Sequence, residues 1–272
     1  SLETPIALTN TLNVGKVWDA MVDIVVEQCE QDGLEPMSIN PVVGECNDSR
    51  INQIQKRVVG ADEVRQAFAS ASEEFEEGDV GAGAGTICYG LKGGIGSASR
   101  VIRIGEKEYT IGVLVQSNFG ATEDFVLNGE SVGAKILDWK QEKDDMAASE
   151  EDKGSIMSIL ATDLPLTSRQ LRRILRRTGV GIARTGGYTG HGSGEVMIGF
   201  TTANRIPSGA EEELLQIQAI PEHVINRAFL AAAEAEQEAI LNSMTAAERT
   251  RGQAGELYYS LSEYLEDQDS KQ

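Results

Sequence analysis

Between Glu150 and Leu166 the chain reads EEDKGSIMSILATDLPL, and at Ser155 it passes abruptly from charged residues into an apolar run. The run has the length and composition of a buried strand. The residues before it, from about 137 to 154, are polar and poor in structure-forming signals, so the chain is expected to divide there into two portions. Two readings of Ser155 follow. In one it simply starts a strand. In the other it is a nucleophile uncovered by self-cleavage of the Gly154–Ser155 bond. A serine hydroxyl is weak and needs a base. An α-amino group, with a pKa of about 7.7–8.0, is poised to serve and belongs to the same residue once the bond is cut. Gly154 adds backbone freedom and leaves its carbonyl open to attack.

The rest of the chain alternates strand and helix patterns. PIALTN predicts a strand, and KVWDAMVDIVVEQCEQDG a helix with Val17, Met21, Ile24 and Val25 on one face and Gly33 as its stop. ADEVRQAFASASEEFEEGD predicts a second helix capped by Asp62. A glycine-rich region, GAGAGTICYGLKGGIGSASR, leads to a hairpin turning at Gly105-Glu106-Lys107. After the strand SIMSILATD come a basic helix in TSRQLRRILRRTGVGIARTG, a strand in GEVMIGFTTAN and a long Ala-rich helix starting at Pro221. A short helix is expected in TAAERTRGQAG. There is no internal repeat. Blocks of strands and helices of this kind predict an α/β layered sandwich, helices outside and sheets inside.

With 24 basic against 43 acidic residues the formal net charge is −19. That argues against nucleic acid as a partner, because such affinity comes mainly from cations. The basic run RRILRR has no interleaved aromatics for base stacking and reads as a solvated helix face. GAGAG and KGGIGS lack phosphate-loop spacing. Three cysteines, Cys29, Cys46 and Cys88, have no metal-ligand spacing and read as reduced thiols of a cytoplasmic protein. The two histidines, His191 and His223, form no zinc motif. No stretch of about 18 apolar residues predicts a membrane span, and no signal peptide is visible.

Two further stretches carry candidate chemistry. In GHGSGEV, Ser193 and Glu195 stand two apart; on a strand they would share a face and line one pocket wall, whereas a plain glycine-rich turn would place no demand on either. In VQSNFG, Asn118 ends a long apolar strand. Its amide could donate to a developing oxyanion or merely form a turn.

Taken together, ETPIALTNTLNVG, NPVVGECND, GLKGGIGSASR, GVLVQSNFG, GSIMSILATDLPL, GIARTGGYTGHGSGE and FTTAN resemble, in order, the L-aminopeptidase/D-esterase family, which includes β-aminopeptidases. The resemblance runs from near residue 3 to near residue 255. It implies a four-layer αββα sandwich, similar to N-terminal-nucleophile hydrolases with different connectivity. It also implies one catalytic domain, residues 1–272, cut between Gly154 and Ser155 into an α portion, 1–154, and a β portion, 155–272. Measured against the family, a segment that its members usually carry before TPIALTN is expected to be absent from the α portion. Ser155 matches the nucleophile, Ser193 and Glu195 the serine and glutamate of the glycine-rich turn, and Asn118 the oxyanion asparagine. Glu45 matches the acidic residue that holds the substrate's free amine. The implied substrates are short peptides, amino-acid amides or esters, with no cofactor or metal and with αβ units assembled into a homo-oligomer. The sequence departs from the family at Ser49-Arg50, where a bulkier apolar or aromatic residue is expected. Two other readings fit less well: an acyltransferase related to ornithine biosynthesis, whose nucleophile is normally threonine, and an uncleaved relative that only binds.

Overall fold

The computed structural model of the chain describes residues 1–143, 154–206 and 214–271. The first strand, β1 (Ile6–Asn10), pairs in parallel with β2 (Val42–Cys46). Between them runs α1 (Val14–Gln31), whose Val17, Ala20, Met21 and Ile24 are buried. The chain leaves α1 through Gly33 at φ +70°, a left-handed position that favours glycine. A second helix, α2 (Ala61–Ser70), packs on α1 through Val64.

Four longer strands form the central sheet. β3 (Gly94–Ile104) and β4 (Lys107–Asn118) are an antiparallel hairpin; β5 (Ser155–Thr162) pairs antiparallel with β4; and β6 (Gly194–Thr201) lies parallel to β5. The spatial order is β6-β5-β4-β3. The parallel step from β5 to β6 requires a crossover. It is made by α4 (Ser168–Leu175) and α5 (Thr178–Arg184). Outside the sheet lies α6 (Asn226–Thr245), packed on β3, β4 and α5. The remaining helices are α3 (Gly133–Glu142) and α7 (Leu261–Ser270). They meet through Trp139, which makes edge contacts with Tyr259 and Tyr264.

Strand alternation sorts the residues of β5. Ile156 and Leu160 are fully buried in the core beneath the helices, each contributing about 1.5–3 kcal/mol. Ser155 and Met157 face the other way, toward β2. A Cβ on Gly44 would stand 2.5 Å from the Met157 terminal methyl and 2.9 Å from a Leu8 methyl, so the sheets approach closely there and a larger residue would push those side chains aside. The layers therefore run α1/α2, β1–β2, the four-stranded sheet, α4–α6, which is the expected αββα order.

Several local expectations are corrected. The second helix ends at Ser70, because the glutamate-rich stretch after it has few apolar residues to bury and repels itself at helical spacing. Its first turn is closed by the Glu63 carboxylate accepting from the Gly60 N–H at 2.8 Å, not by Asp62. The supposed linker from 137 begins inside α3, where Ile136, Trp139 and Lys140 are buried; residues 144–153 of it lie outside the described residues. The basic helix is broken into α4 and α5 at Arg176-Arg177. A short 3₁₀ turn, Glu222–Val224, precedes α6. No helix forms in 246–255; instead Thr250–Arg251 pairs with Leu257–Tyr258. Among the described residues no helix is long and apolar enough to cross a membrane.

Candidate active site

The site lies where β4 ends and β5 and β6 begin. Asn118 and Ser155 are register partners, and Ser155 is in turn the partner of Gly194. A pocket of about 510 Å³ opens at this edge, and its walls include Glu45, Arg50, Asn118, Gly154, Ser155, His191 and Ser193. A larger cavity of about 770 Å³ lies between α1, α2 and β1, with mostly apolar walls and without Ser155.

Gly154 is fitted to this edge by close approach. A Cβ there would stand 1.9 Å from the Asn118 carbonyl oxygen and 2.8 Å from the Phe119 Cα. The expected backbone freedom is therefore not what selects glycine; space is. Its own carbonyl accepts a hydrogen bond from the Gly194 N–H at 3.0 Å. The carbonyl of the bond before Ser155 is thus held and polarised by the start of β6.

Asn118 is 8% exposed and fixed at both ends of its amide. Oδ1 accepts from the Ile87 N–H at 3.0 Å, and Nδ2 donates to the Asn47 carbonyl at 3.1 Å. An amide nitrogen carries two hydrogens, so Asn118 can keep Asn47 and offer a second donor to the pocket. The Ser193 hydroxyl donates to Glu195 Oε1 at 2.5 Å. Ser193 lines the pocket, while Glu195 reaches it through that hydroxyl. The Thr11 hydroxyl donates to Glu45 Oε2, which orients the Glu45 carboxylate from the β1 side.

Behind the reacting edge, Cys46 is fully buried with Sγ 3.6 Å from the Ser155 carbonyl. Burial pushes its thiol up to about 12, so it stays neutral. Lys92 is fully buried and donates to the carbonyls of Gly83 and Gly93 at 2.8 and 2.7 Å. Burial lowers it to about 8. It ties together the ends of the glycine-rich turn that presents Ile87 to Asn118. On the helix side, Glu236 of α6 is buried and accepts from the Ser158 hydroxyl of β5; burial raises its carboxyl to about 8.

All six residues singled out from the sequence, Glu45, Asn118, Gly154, Ser155, Ser193 and Glu195, thus meet at one edge. Sequence reasoning marked Arg50 only as a departure from the family, and it missed His191 as a pocket wall and Lys92 and Asn47 as its supports. Asn47 sits within the motif that includes Glu45 and Arg50 lies two residues beyond it, but their inward placement depends on a turn that no periodicity reveals.

The layered fold with a serine at the open end of a central strand is that of the N-terminal-nucleophile hydrolases, in the variant found among serine aminopeptidases. The match to Peptidase family S58 spans residues 1–258, and the chain belongs to that family. It is 37% identical over 256 residues to the beta-peptidyl aminopeptidase BapA of Sphingosinicella xenopeptidilytica, covering 91% of this chain and 63% of that protein. The chain thus spans less than two thirds of the length of the curated relatives it matches. Among solved structures it superposes on the PH0078 protein from Pyrococcus horikoshii OT3 with a TM-score of 0.88 at 45% identity, covering 97% of this chain and 72% of that one. The L-aminopeptidase D-Ala-esterase/amidase from Ochrobactrum anthropi, a prototype for the serine aminopeptidases, gives a TM-score of 0.86 at 34% identity, covering 96% of this chain and 71% of that one.

Proposed function

We propose that this chain is a self-processing serine aminopeptidase, amidase and esterase that removes N-terminal residues from short peptides, amides or esters through an acyl-enzyme. The observation that carries the reading is the meeting of Ser155, Asn118 and Ser193 in one pocket at a strand edge, with the Gly154 carbonyl held by Gly194. In the first reaction the Ser155 hydroxyl attacks the Gly154 carbonyl carbon. A C–O ester forms, the C–N bond breaks, and the proton passes to the freed α-amine. Water then hydrolyses the ester and leaves Gly154 as a carboxylate. The products are the portions 1–154 and 155–272, which stay together because β4 and β5 are hydrogen-bonded neighbours.

In the second reaction the same hydroxyl attacks a substrate carbonyl. The α-amine of Ser155 takes the proton, and Ser193, oriented by Glu195, relays it to the leaving amine or alcohol; water then hydrolyses the acyl ester, releasing the acid and restoring the Ser155 hydroxyl. Asn118 and backbone N–H groups hold the oxyanion, where one such donor is worth about 10²–10³ in rate. Glu45 holds the substrate's ammonium. No cofactor enters these steps. The αβ unit is proposed to work as a homo-oligomer in the cytoplasm. The test is intact mass spectrometry of wild type and Ser155→Ala alongside hydrolysis of amino-acid p-nitroanilides. Fragments beginning SIMSILATD and activity should appear in the wild type, and both should vanish together in the variant. Cleavage persisting without Ser155 would sink the reading.

A further inference from the structure

Two charged residues of opposite sign, Glu45 and Arg50, line the pocket that holds Ser155. Glu45 stands in β2, and Arg50 sits in the turn after it, which is fixed from several sides. The Ile51 and Asn52 N–H groups donate to the Asp48 carbonyl at 3.1 and 2.9 Å, and Asn52 Nδ2 donates to the Asp48 carboxylate at 2.6 Å. From the far end of the chain, Gln253 donates its N–H to the Arg50 carbonyl at 2.9 Å and its side-chain amide to Ser49 and Asn52 carbonyls at 2.6 and 2.7 Å. The Arg50 guanidinium also interacts with the Tyr258 hydroxyl, which itself donates to Glu256 at 3.1 Å. A guanidinium has five N–H donors, so holding Tyr258 is compatible with taking a carboxylate as well.

In a chain of net charge −19, an arginine in this wall meets a substrate anion that the rest of the surface repels. A carboxylate is the fork-shaped acceptor that a guanidinium fits best.

Building on the aminopeptidase reading, we propose that Arg50 is a specificity-determining residue that selects substrates carrying a carboxylate on the leaving side of the scissile bond. Glu45 takes the ammonium and Arg50 the carboxylate, both in the pocket that Ser155 lines. The preferred substrate is then a zwitterionic dipeptide or a peptide whose second residue is acidic. The anchor is pre-organised, because its turn is ordered before substrate arrives, and pre-organised contacts lose less on binding.

The test compares an Ala-Ala dipeptide as free acid and as C-terminal amide, and Ala-Glu amide as a third substrate, on wild type, Arg50→Gln and Arg50→Lys. The wild type should favour the acid over the amide by roughly ten- to a hundredfold in kcat/KM, carried mainly by KM. The ratio should fall to near one in Arg50→Gln and recover partly in Arg50→Lys. Ala-Glu amide behaving like the free acid assigns the contact to a side-chain carboxylate as well as the terminal one. An equal rate for acid and amide in the wild type, or an unchanged ratio in Arg50→Gln, overturns the proposal. If none of the three is hydrolysed, the aminopeptidase reading fails by itself. Binding of a non-hydrolysable ketomethylene Ala-Ala isostere, as acid and as amide, then decides on Arg50 without turnover. Tighter binding of the acid that is lost in Arg50→Gln sustains it; equal binding refutes it.

Discussion

Asn118 and Ser155 face each other as the last register pair of the ladder between β4 and β5. An antiparallel pair brings their Cβ atoms within about 4.5–5.5 Å, so the distance from the Ser155 side chain to the amide is set by the sheet rather than by a loop. Asn118→Ala should lower kcat by about 10²–10³ with a much smaller change in KM. Asn118→Asp keeps the acceptor for the Ile87 N–H but sets an oxygen against the Asn47 carbonyl, so it should lose rate by a similar factor and lose stability as well. A large KM effect with kcat intact would reassign Asn118 to substrate binding.

Gly154→Ala should slow the division of the chain at 154/155. The new methyl would stand 1.9 Å from the Asn118 carbonyl, so β4 and the segment before β5 must separate. Overpacking of this kind costs about 1–3 kcal/mol. A time course on a denaturing gel reads the delay, and thermal unfolding reads the cost. Processing at the wild-type rate would mean that the edge is far softer than its geometry.

Glu45→Gln should raise KM for substrates with a free amine by roughly one to two decades, the scale of a charge-assisted hydrogen bond. The preference for free over N-acetylated p-nitroanilides should shrink, while cleavage at Gly154 continues. The Thr11 hydroxyl can still donate to the amide oxygen of the variant, so the wall should keep its shape. An unchanged selectivity ratio would point to another carboxylate.

Glu236 predicts a pH dependence of stability. Burial raises its carboxyl from 4.5 to about 8. Between those values the folded chain holds a proton that the unfolded chain releases, so stability falls as pH rises through this window and levels off above it. The slope from one such group is on the order of 1 kcal/mol per pH unit. Glu236→Gln resembles the protonated acid and should gain on the wild type progressively from pH 5 to 8 in denaturant melts. Parallel curves for the two proteins would show that Glu236 is not held protonated.

The periodic elements, and the candidate residues that meet in the pocket, are legible in the order of the amino acids alone. The apolar spacing of Val17, Met21 and Ile24 announced α1. The alternation after Gly105 announced the hairpin, and the motifs around Glu45, Asn118, Ser155 and Ser193 marked one family. These signals are local: each is written within a few residues and follows from how a helix or strand presents side chains. What is long-range comes from the folded arrangement. It placed Asn118 opposite Ser155, set Gly194 on the carbonyl of Gly154, turned Arg50 into the pocket, and buried Lys92 and Glu236 behind it. It also overruled local pattern where packing competes: Trp139 is drawn into the core from a stretch that reads as linker, and the Thr250 and Tyr258 segments pair as strands where a helix is expected. Register, layer approach and burial depend on residues far apart in the chain, so no window of sequence contains them.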